Sequence, residues 1–209
     1  MPGKFHFAAF NNRLAREAKG EYLLFLNNDT EILQEDWLAR LKIHASIQTN
    51  GAVGALLTYP DNTVQHAGVV LGPRGTADHL FRNFNAESDF YHNIIQSDRD
   101  VTAVTAACLM ISSEKFRQAG GFDEKFRNHY EDLDLCLRLF KAGYSNVYAG
   151  TVKLVHHESK TRGKYYDYTD RILLLDRWES LIQAGDPFSN ENFLPDRCDF
   201  ALGAGRLLK

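Results

Sequence analysis

Three short polar clusters in this sequence have the residue types needed for chemistry, and the first follows an apolar run. Asn27-Asn28-Asp29 comes directly after the residues from Glu21 to Leu26. In open α/β sheets ligands bind beyond the carboxyl ends of strands, so a carboxylate here could hold Mg²⁺ or Mn²⁺ together with substrate phosphates. The same residue types are typical of a turn in which Asp29 or Thr30 caps a following helix. The triplet alone leaves both interpretations open.

The second cluster is a pair of carboxylates, Glu131 and Asp132, at the start of a strongly periodic helix. Successive helical residues project about 100° apart because the helix has 3.6 residues per turn. At most one of the two can therefore face a pocket squarely, where it could act as a general base. Acidic residues in a first helical turn also complement the helix dipole, so a purely structural role stays open.

The third cluster begins with His156 and His157 after a short apolar strand and continues through polar and cationic residues to Arg162. An imidazole here could bind a metal ion, and the guanidinium could bind a phosphate. Either histidine could instead be structural or simply exposed.

Hydrophobic periodicity predicts the elements that must position these clusters. Apolar runs predict buried strands at 21–26, 52–57 and 101–111, with further strands at 63–71 and within 146–156. Helical spacing predicts helices at 7–19, 35–48, 112–119, 130–142 and 167–184, and residues 76–100 are interpreted as a loop with a short helix. The alternation of helix and strand favours an α/β architecture with parallel pairing.

Composition excludes several classes of protein. The chain has 209 residues, 24 Lys+Arg against 27 Asp+Glu, and 44% hydrophobic residues, which fit an ordinary globular domain rather than a disordered or disulfide-rich chain. The lack of a basic excess argues against nucleic acid as a partner. No apolar run reaches the roughly 18 residues of a transmembrane segment. The 3 cysteines are far apart, which favours the cytoplasm, with the inner face of the membrane as an alternative location.

Taken in order, five segments of the sequence resemble the family 2 glycosyltransferases. The segments are Glu21–Thr30, Gly120–Glu124, Tyr130–Arg138, Gly143-Tyr144 and His156–Ser159. These are inverting enzymes of the GT-A fold that use nucleotide-diphosphate sugars. Gly185–Asn190 is similar to a segment of bacterial members that act on rhamnose-containing surface polysaccharide. The resemblance implies a GT-A-like, Rossmann-related mixed sheet flanked by helices.

The resemblance also implies how the donor would be bound. Asn27, Asn28 and Asp29 match the family's DxD-type motif, with Asn in place of the first Asp. Asp29 would then bind Mg²⁺ or Mn²⁺ and the diphosphate. His157, in preference to His156, matches a histidine that can reach the metal or the diphosphate in related enzymes.

The resemblance also implies roles for residues at matching positions elsewhere in the chain. Asp132 matches the general base of the family, with Glu131 beside it, and Arg162 would contact the diphosphate. The floor under the sugar and acceptor would be formed by Ala106, Ala107, Cys108, Gly120, Gly121 and Phe122. The expected partners are a nucleotide-diphosphate sugar and a saccharide or lipid-linked acceptor, in cell-surface polysaccharide biosynthesis.

The expected organisation is a catalytic and acceptor part at 1–164 and a C-terminal helix with an irregular tail at 165–209 packed on it. The strand-helix-strand unit that holds the nucleoside in the family has no counterpart before Phe7, so we expect an N-terminally truncated domain. An uncovered sheet edge would invite pairing with a second copy.

Two other functions compete with sugar transfer. Without the nucleoside unit, the chain could be a non-catalytic module that binds carbohydrate or a partner. A nucleotidyltransferase would need a Gly-rich, basic phosphate loop near its start, and this sequence shows none.

Overall fold

A mixed β-sheet flanked by helices forms the framework of the chain, for which the computed structural model describes residues 6–127, 129–157 and 168–203. The strands are β1 (Tyr22–Leu26), β2 (Thr30–Ile32), β3 (Asn50–Thr58), β4 (Val64–His66), β5 (Val69–Leu71), β6 (Ala77–His79), β7 (Arg99–Val101), β8 (Cys108–Ser112) and β9 (Ser145–His156). The helices are α1 (Phe7–Glu17), α2 (Trp37–Ala45), α3 (Phe90–Asn93), α4 (Ser113–Gln118), α5 (Glu131–Lys141) and α6 (Tyr168–Ala184). Within these ranges, no helix combines the length and the apolar character that a membrane crossing requires.

The main sheet has the strand order β1-β8-β3-β9-β2, with β4 added to β3 and β7 added to β9. Among the described strands, only β3 and β9 pair in parallel, whereas β1 runs antiparallel to β8 and β8 antiparallel to β3. The mixed sheet expected from the family resemblance is therefore confirmed. The parallel pairing expected for β1 is wrong, because an apolar run reports burial on both faces and carries no information about the direction of its neighbour.

Strand β3 forms the centre of the core, and all of its residues are buried. Ala52 and Leu56 belong to the larger apolar cluster, on the side of α4, α5 and α6. Val53, Ala55 and Leu57 belong to the smaller cluster, which α2 covers. This alternation reflects the two-residue period of a strand, and it explains why the sequence shows a continuous apolar run.

Helices α5 and α6 are joined through a buried carboxylate. Asp134 is 0% exposed and accepts hydrogen bonds from Arg138 Nε at 2.8 Å, Arg177 Nη1 at 2.7 Å and Trp178 Nε1 at 2.9 Å. Both cations and the indole therefore share one acceptor, and Arg177 also pairs with Asp123 at 2.7 Å. The apolar face of α6, with Leu174 and Ile182, packs into the larger cluster.

The middle of the chain differs from the sequence-based expectation. The predicted strand at 101–111 is two strands, since β7 ends at Val101, β8 begins at Cys108, and the residues between them are irregular. The region 76–100 contains β6, and Phe81 and Ile95 are fully buried in the core. The predicted strand at 63–71 is interrupted at Gly68, whose φ of +93° favours glycine.

Candidate functional site

The turn after β1 is fixed by its own backbone and leads into a strand. The Asn27 amide donates to Ala107 O at 2.9 Å, and Thr30 Oγ1 donates to Asn27 O at 2.7 Å. Strand β2 begins at Thr30, and α2 begins only at Trp37. Neither Asp29 nor Thr30 caps a helix. Of the interpretation as a capped turn, only the turn is therefore observed.

This turn brings Asp29 to a buried histidine. Thr30 lies opposite His156 in the antiparallel pair of β2 and β9. The His156 side chain, 7% exposed, places Nε2 at 3.0 Å from Asp29 Oδ1 and 3.1 Å from Asn27 Nδ2. Its other ring nitrogen, Nδ1, bonds to Gln65 Oε1 of β4.

The hydrogen bonds around His156 indicate which nitrogen carries the proton. Gln65 Oε1 can only accept, so His156 Nδ1 is the donor and Nε2 of the neutral ring has a free lone pair. Asn27 Nδ2 donates to that lone pair, while the Asp29 carboxylate brings a second acceptor to 3.0 Å. The Nε2 lone pair and the Asp29 carboxylate are both acceptors, so they repel each other at 3.0 Å. A cation that contacts both atoms removes this repulsion, and so does a proton on Nε2.

The same two atoms fit a divalent ion. Asp29 Oδ1 and His156 Nε2 are 3.0 Å apart, so both could contact one divalent ion, and the imidazole nitrogen would suit Mn²⁺ better than Mg²⁺, which prefers oxygen ligands. Across the described ranges, no group of 3 or more His, Cys, Asp and Glu side chains is arranged to hold a metal. An ion held by this pair would therefore complete its shell with water and substrate oxygens, as Mg²⁺ commonly does.

His157, which the sequence favoured over its neighbour, is directed elsewhere. Its side chain is 49% exposed, with Nε2 at 3.3 Å from Glu31 Oε2. Only its backbone approaches the site, where its amide donates to Asp29 O at 2.9 Å. Successive residues at the end of a strand point to opposite faces, so the geometry replaces His157 by His156 as the partner of Asp29.

Helix α5 presents Asp132 at its first turn. Asp132 Oδ2 accepts from the Ala106 amide at 3.0 Å, and Oδ1 accepts from the Leu133 amide at 2.8 Å. Glu131 is only 6% exposed and so faces the interior, while Asp132 is half-buried. Asp132 is therefore the more accessible of the two carboxylates.

The two clusters meet at one short segment. Ala107 O receives the amide of Asn27, and the preceding Ala106 amide donates to Asp132. Adjacent Cα atoms are about 3.8 Å apart, so the turn that carries Asp29 and the start of α5 approach the same point of the chain. Residues 102–107 can make these contacts because they are not part of a strand.

Sequence reasoning missed several residues that support the site. Asp170 of α6, 0% exposed, accepts from the amides of Arg127 at 3.0 Å and His129 at 3.1 Å, which fixes the loop before α5. Nothing in the sequence indicates this contact across two elements. Gln65 and His66 could have been found, because a polar pair within an otherwise apolar strand needs a buried partner.

His66 points away from Gln65, toward the segment that carries Ala106. Its Nδ1 lies 2.7 Å from His79 Nδ1, and its Nε2 accepts from the Gly68 amide at 3.3 Å and lies 3.5 Å from the Thr105 amide. Burial lowers the pKa of His66 well below its usual value, and the neighbouring His79 and Arg99 lower it further.

The expected floor residues divide into two groups. Ala106 and Ala107 lie where the two clusters meet, but Cys108 is fully buried in the smaller cluster, and burial raises the pKa of its thiol to about 12. Gly120, Gly121 and Phe122 line a cavity of about 720 Å³ beside α1, and Asp29 and Asp132 are not part of its lining. Cys108 follows Ala107 and pairs with Leu26, but its side chain is directed into the core, and no described hydrogen bond joins Gly120, Gly121 or Phe122 to Asp29 or Asp132.

Asn28 and Arg162 are the other residues expected to contact the diphosphate. Asn28 is exposed in the turn after β1, next to Asp29. Arg162 lies outside the described residues.

Comparison with known proteins shows the family of this chain. Residues 2–173 match the family model described as "Glycosyltransferase like family 2". The O-antigen biosynthesis protein RfbC of Myxococcus xanthus is 38% identical over 208 residues, which cover 95% of this chain and 16% of that protein. The N-acetylglucosaminyl-diphospho-decaprenol L-rhamnosyltransferase of Mycobacterium tuberculosis is 31% identical over 121 residues, 54% of this chain and 39% of its own length.

Among solved structures, GalNAc-T7 with UDP, GalNAc and Mn²⁺ has the same fold. It superposes with a TM-score of 0.64 over 88% of this chain and 36% of that chain, at 13% identity. The chain therefore spans less than two fifths of the length of each of these three proteins.

Proposed function

Because the chain belongs to glycosyltransferase family 2, we propose that it carries the catalytic and acceptor-facing part of a sugar transferase. The donor would be a nucleotide-diphosphate sugar, and the acceptor a saccharide or lipid-linked saccharide of cell-surface polysaccharide biosynthesis. The rhamnosyltransferase and O-antigen relatives support this class of substrate.

The observation that supports the proposal is that the turn carrying Asp29 and the first turn of α5, which carries Asp132, both bond to the segment Ala106-Ala107. The Asn27 amide reaches Ala107 O at 2.9 Å on one side, and Asp132 Oδ2 accepts from Ala106 N at 3.0 Å on the other. A transferase needs one group to hold the leaving diphosphate and another to receive the proton of the acceptor. In this proposal Asp29 and His156 serve the first purpose and Asp132 serves the second.

Asp29 and His156 would hold the divalent ion and, through it, the diphosphate of the donor. When bound, Mg²⁺ or Mn²⁺ would offset the negative charge that develops on the leaving diphosphate. The ion would take the place of Asn27 Nδ2, now 3.1 Å from Nε2, at the lone pair of His156, and Asn27, Asn28 and Arg162 would donate to phosphate oxygens.

Asp132 would accept the proton of the attacking hydroxyl. Each of its carboxylate oxygens already accepts one backbone hydrogen bond, which fixes its orientation and leaves lone pairs for a substrate hydroxyl. Attack from the face opposite the diphosphate inverts the configuration at C1, and no covalent intermediate with the protein is needed. Glu131, buried behind Asp132, would support the helix start rather than contact the substrate.

The proposed ion and diphosphate site can be tested by comparing two neighbouring histidines, because His156 faces Asp29 and His157 does not. His156→Ala and Asp29→Ala should each weaken Mn²⁺-dependent binding of UDP or dTDP, measured by calorimetry, by about tenfold or more. The matched control is His157→Ala, since its side chain faces Glu31 and solvent, and this variant should bind like the wild type.

Asp132→Asn tests the proton acceptor. Transfer should fall by about 10²-fold or more, while Mn²⁺-dependent nucleotide binding stays unchanged. Wild-type transfer by this variant would remove the role assigned to Asp132. If a saccharide binds but no nucleotide does, the chain is a non-catalytic binding module.

A further inference from the structure

A cavity of about 370 Å³ lies between β5, the end of β7 and the segment after α6, apart from Asp29 and Asp132. Four aromatic side chains line it: Tyr91, Phe188, Phe193 and Phe200. Arg99, Thr102 and Asn190 add polar groups to the lining. An apolar, aromatic wall with a few polar groups is the usual composition of a small-molecule site, and the volume lies within the usual range.

The wall formed by the C-terminal segment is held in place by Asp186. Its Oδ2 accepts from the Leu71 amide at 2.8 Å and from Thr102 Oγ1 at 2.7 Å, and its Oδ1 accepts from the Phe188 amide at 2.9 Å. The carboxylate thus ties the segment that carries Phe188 to β5 and to the residue after β7. The cavity is therefore formed before any ligand arrives.

Two of the aromatic rings in the lining are accessible from outside. Tyr91 is 42% exposed and Phe188 37% exposed, although both are large apolar side chains at a cavity. Phe193 and Phe200, which also line the cavity, stack on each other with ring centroids 4.8 Å apart. Exposed aromatic surface next to polar groups is typical of a ligand site.

Arg99 brings a positive charge to the lining of the same cavity. Its guanidinium lies over the Tyr148 ring at 4.4 Å and donates to Ile94 O at 2.6 Å and to Ala67 O. Among the described residues, no carboxylate forms an ion pair with this guanidinium. A ligand rich in acceptor oxygens would satisfy this cation, and a hydrocarbon chain would not.

The cavity is connected to the proposed transfer site through a short piece of backbone. Thr102 lines the cavity and Ala106 contacts Asp132, and four residues span at most about 14 Å. Asn146 Nδ2 also donates to Thr102 O at 2.9 Å and to Cys136 O of α5 at 3.0 Å, so both places belong to one packed framework. A ligand in the cavity would lie within the length of a short oligosaccharide from Asp132.

We propose that this cavity binds a sugar unit of the acceptor that is remote from the reacting hydroxyl, which rests on the proposed function. The C–H face of a pyranose ring packs on Tyr91 and Phe188, and its hydroxyl and ring oxygens accept from Arg99. Binding energy from this remote unit would hold the reacting hydroxyl near Asp132.

The test uses N-acetylglucosamine and methyl rhamnoside as probes, followed by ¹H–¹⁵N NMR titration of the chain, with UDP plus Mn²⁺ measured in parallel. At least one sugar should bind to the wild type, and Phe188→Ala and Tyr91→Ala should each weaken that binding about tenfold. Both side chains are partly exposed, so neither variant should unfold. Tyr168→Ala, which removes a 68% exposed tyrosine of α6 outside the cavity, is the matched control and should bind sugar like the wild type.

The outcomes separate this inference from the proposed function. If UDP with Mn²⁺ binds but neither sugar does, or if Tyr168→Ala weakens sugar binding as much as Phe188→Ala, the cavity assignment is wrong and the transferase proposal stands. Binding of farnesyl phosphate that Phe188→Ala weakens, without sugar binding, would overturn the inference in favour of a lipid site. Sugar binding that depends on Phe188, without any nucleotide binding, would support the cavity and contradict the transferase proposal.

Discussion

At the scale of single residues, the site depends on groups that orient the proposed catalytic side chains as much as on those side chains themselves. His156 can offer Nε2 toward Asp29 only while Nδ1 donates to Gln65. Partners of this kind fix the tautomer and the ring orientation of a histidine ligand. Gln65 is therefore a positioning residue.

Replacing Gln65 by Leu should lower Mn²⁺-dependent affinity for UDP or dTDP by about 10–100-fold, because the His156 ring loses its fixed tautomer. Calorimetry with and without Mn²⁺ measures this effect apart from activity. Gln34→Leu is the matched control, since Gln34 also bonds to β9, at Thr151 O and the Lys153 amide, but far from Asp29. Equal affinity in the wild type and the Gln65 variant would contradict the positioning role.

His66 should make the stability of the fold depend on pH. Burial and the nearby His79 and Arg99 hold its pKa well below the usual value, so the folded chain keeps it neutral. Below a pH of about 6.5 the unfolded chain binds a proton that the folded chain does not, and stability falls by up to about 1.4 kcal/mol per pH unit. Above that pH this contribution no longer changes with pH.

Urea unfolding at pH 7 and pH 5 measures the difference. His66→Gln should reduce the loss of unfolding free energy between the two pH values, whatever it does to stability at pH 7. His92→Gln, which removes an exposed histidine, should leave the loss as in the wild type. An unchanged pH dependence in the His66 variant would show that the buried imidazole is not the group responsible.

At the scale of elements, the position of α5 depends on α6. Asp170 holds the loop before α5, and Asp134 receives Arg177 and Trp178 of α6 together with Arg138 of α5 itself. The first turn of α5 carries Asp132, so these contacts determine where the proposed base points. A helix with no assigned chemical role thus supports the site.

Asp134→Asn should destabilise the fold by about 3 kcal/mol or more, because the charges of Arg138 and Arg177 lose their shared buried partner. Urea unfolding at pH 7 gives the change in free energy. The surface pair of Asp36 and Arg40, with side chains 56% and 43% exposed, supplies the control. Asp36→Asn should change stability by less than about 1 kcal/mol, and a similar cost in both variants would mean that the Asp134 contacts add little.

At the scale of the whole molecule, β1 is an edge of the described sheet. Its apolar sequence pairs with β8 on one side only, and Leu26 is 38% exposed. An apolar edge strand is a template for pairing with another chain. We therefore expect two copies of this chain to associate through β1.

Light scattering at several concentrations should show self-association that Leu26→Lys reduces, since lysine on an edge strand opposes pairing. Leu38→Lys places the same charge on an exposed position of α2, 45% exposed, and should leave association unchanged. A monomeric wild-type chain at all concentrations would exclude pairing between copies.

The sequence by itself determined the elements and the candidate chemistry. Apolar runs and helical spacing predicted β1, β3, α1, α2 and α5 within a few residues, because burial on one or two faces leaves a local pattern. The Asp134–Arg138 pair, four positions apart on a helix, is equally local. The family resemblance rested on short segments in order, and the match over residues 2–173 confirmed it.

Tertiary structure alone decided which groups meet. The direction of β1 beside β8, the choice of His156 over His157, and the roles of Gln65 and Asp170 all depend on contacts between residues far apart in the chain. Local patterns record whether a side chain is buried, but they do not record what it is buried against. The physical reason is that strand pairing and side-chain hydrogen bonds are set by packing in three dimensions, which leaves no periodic trace in the sequence.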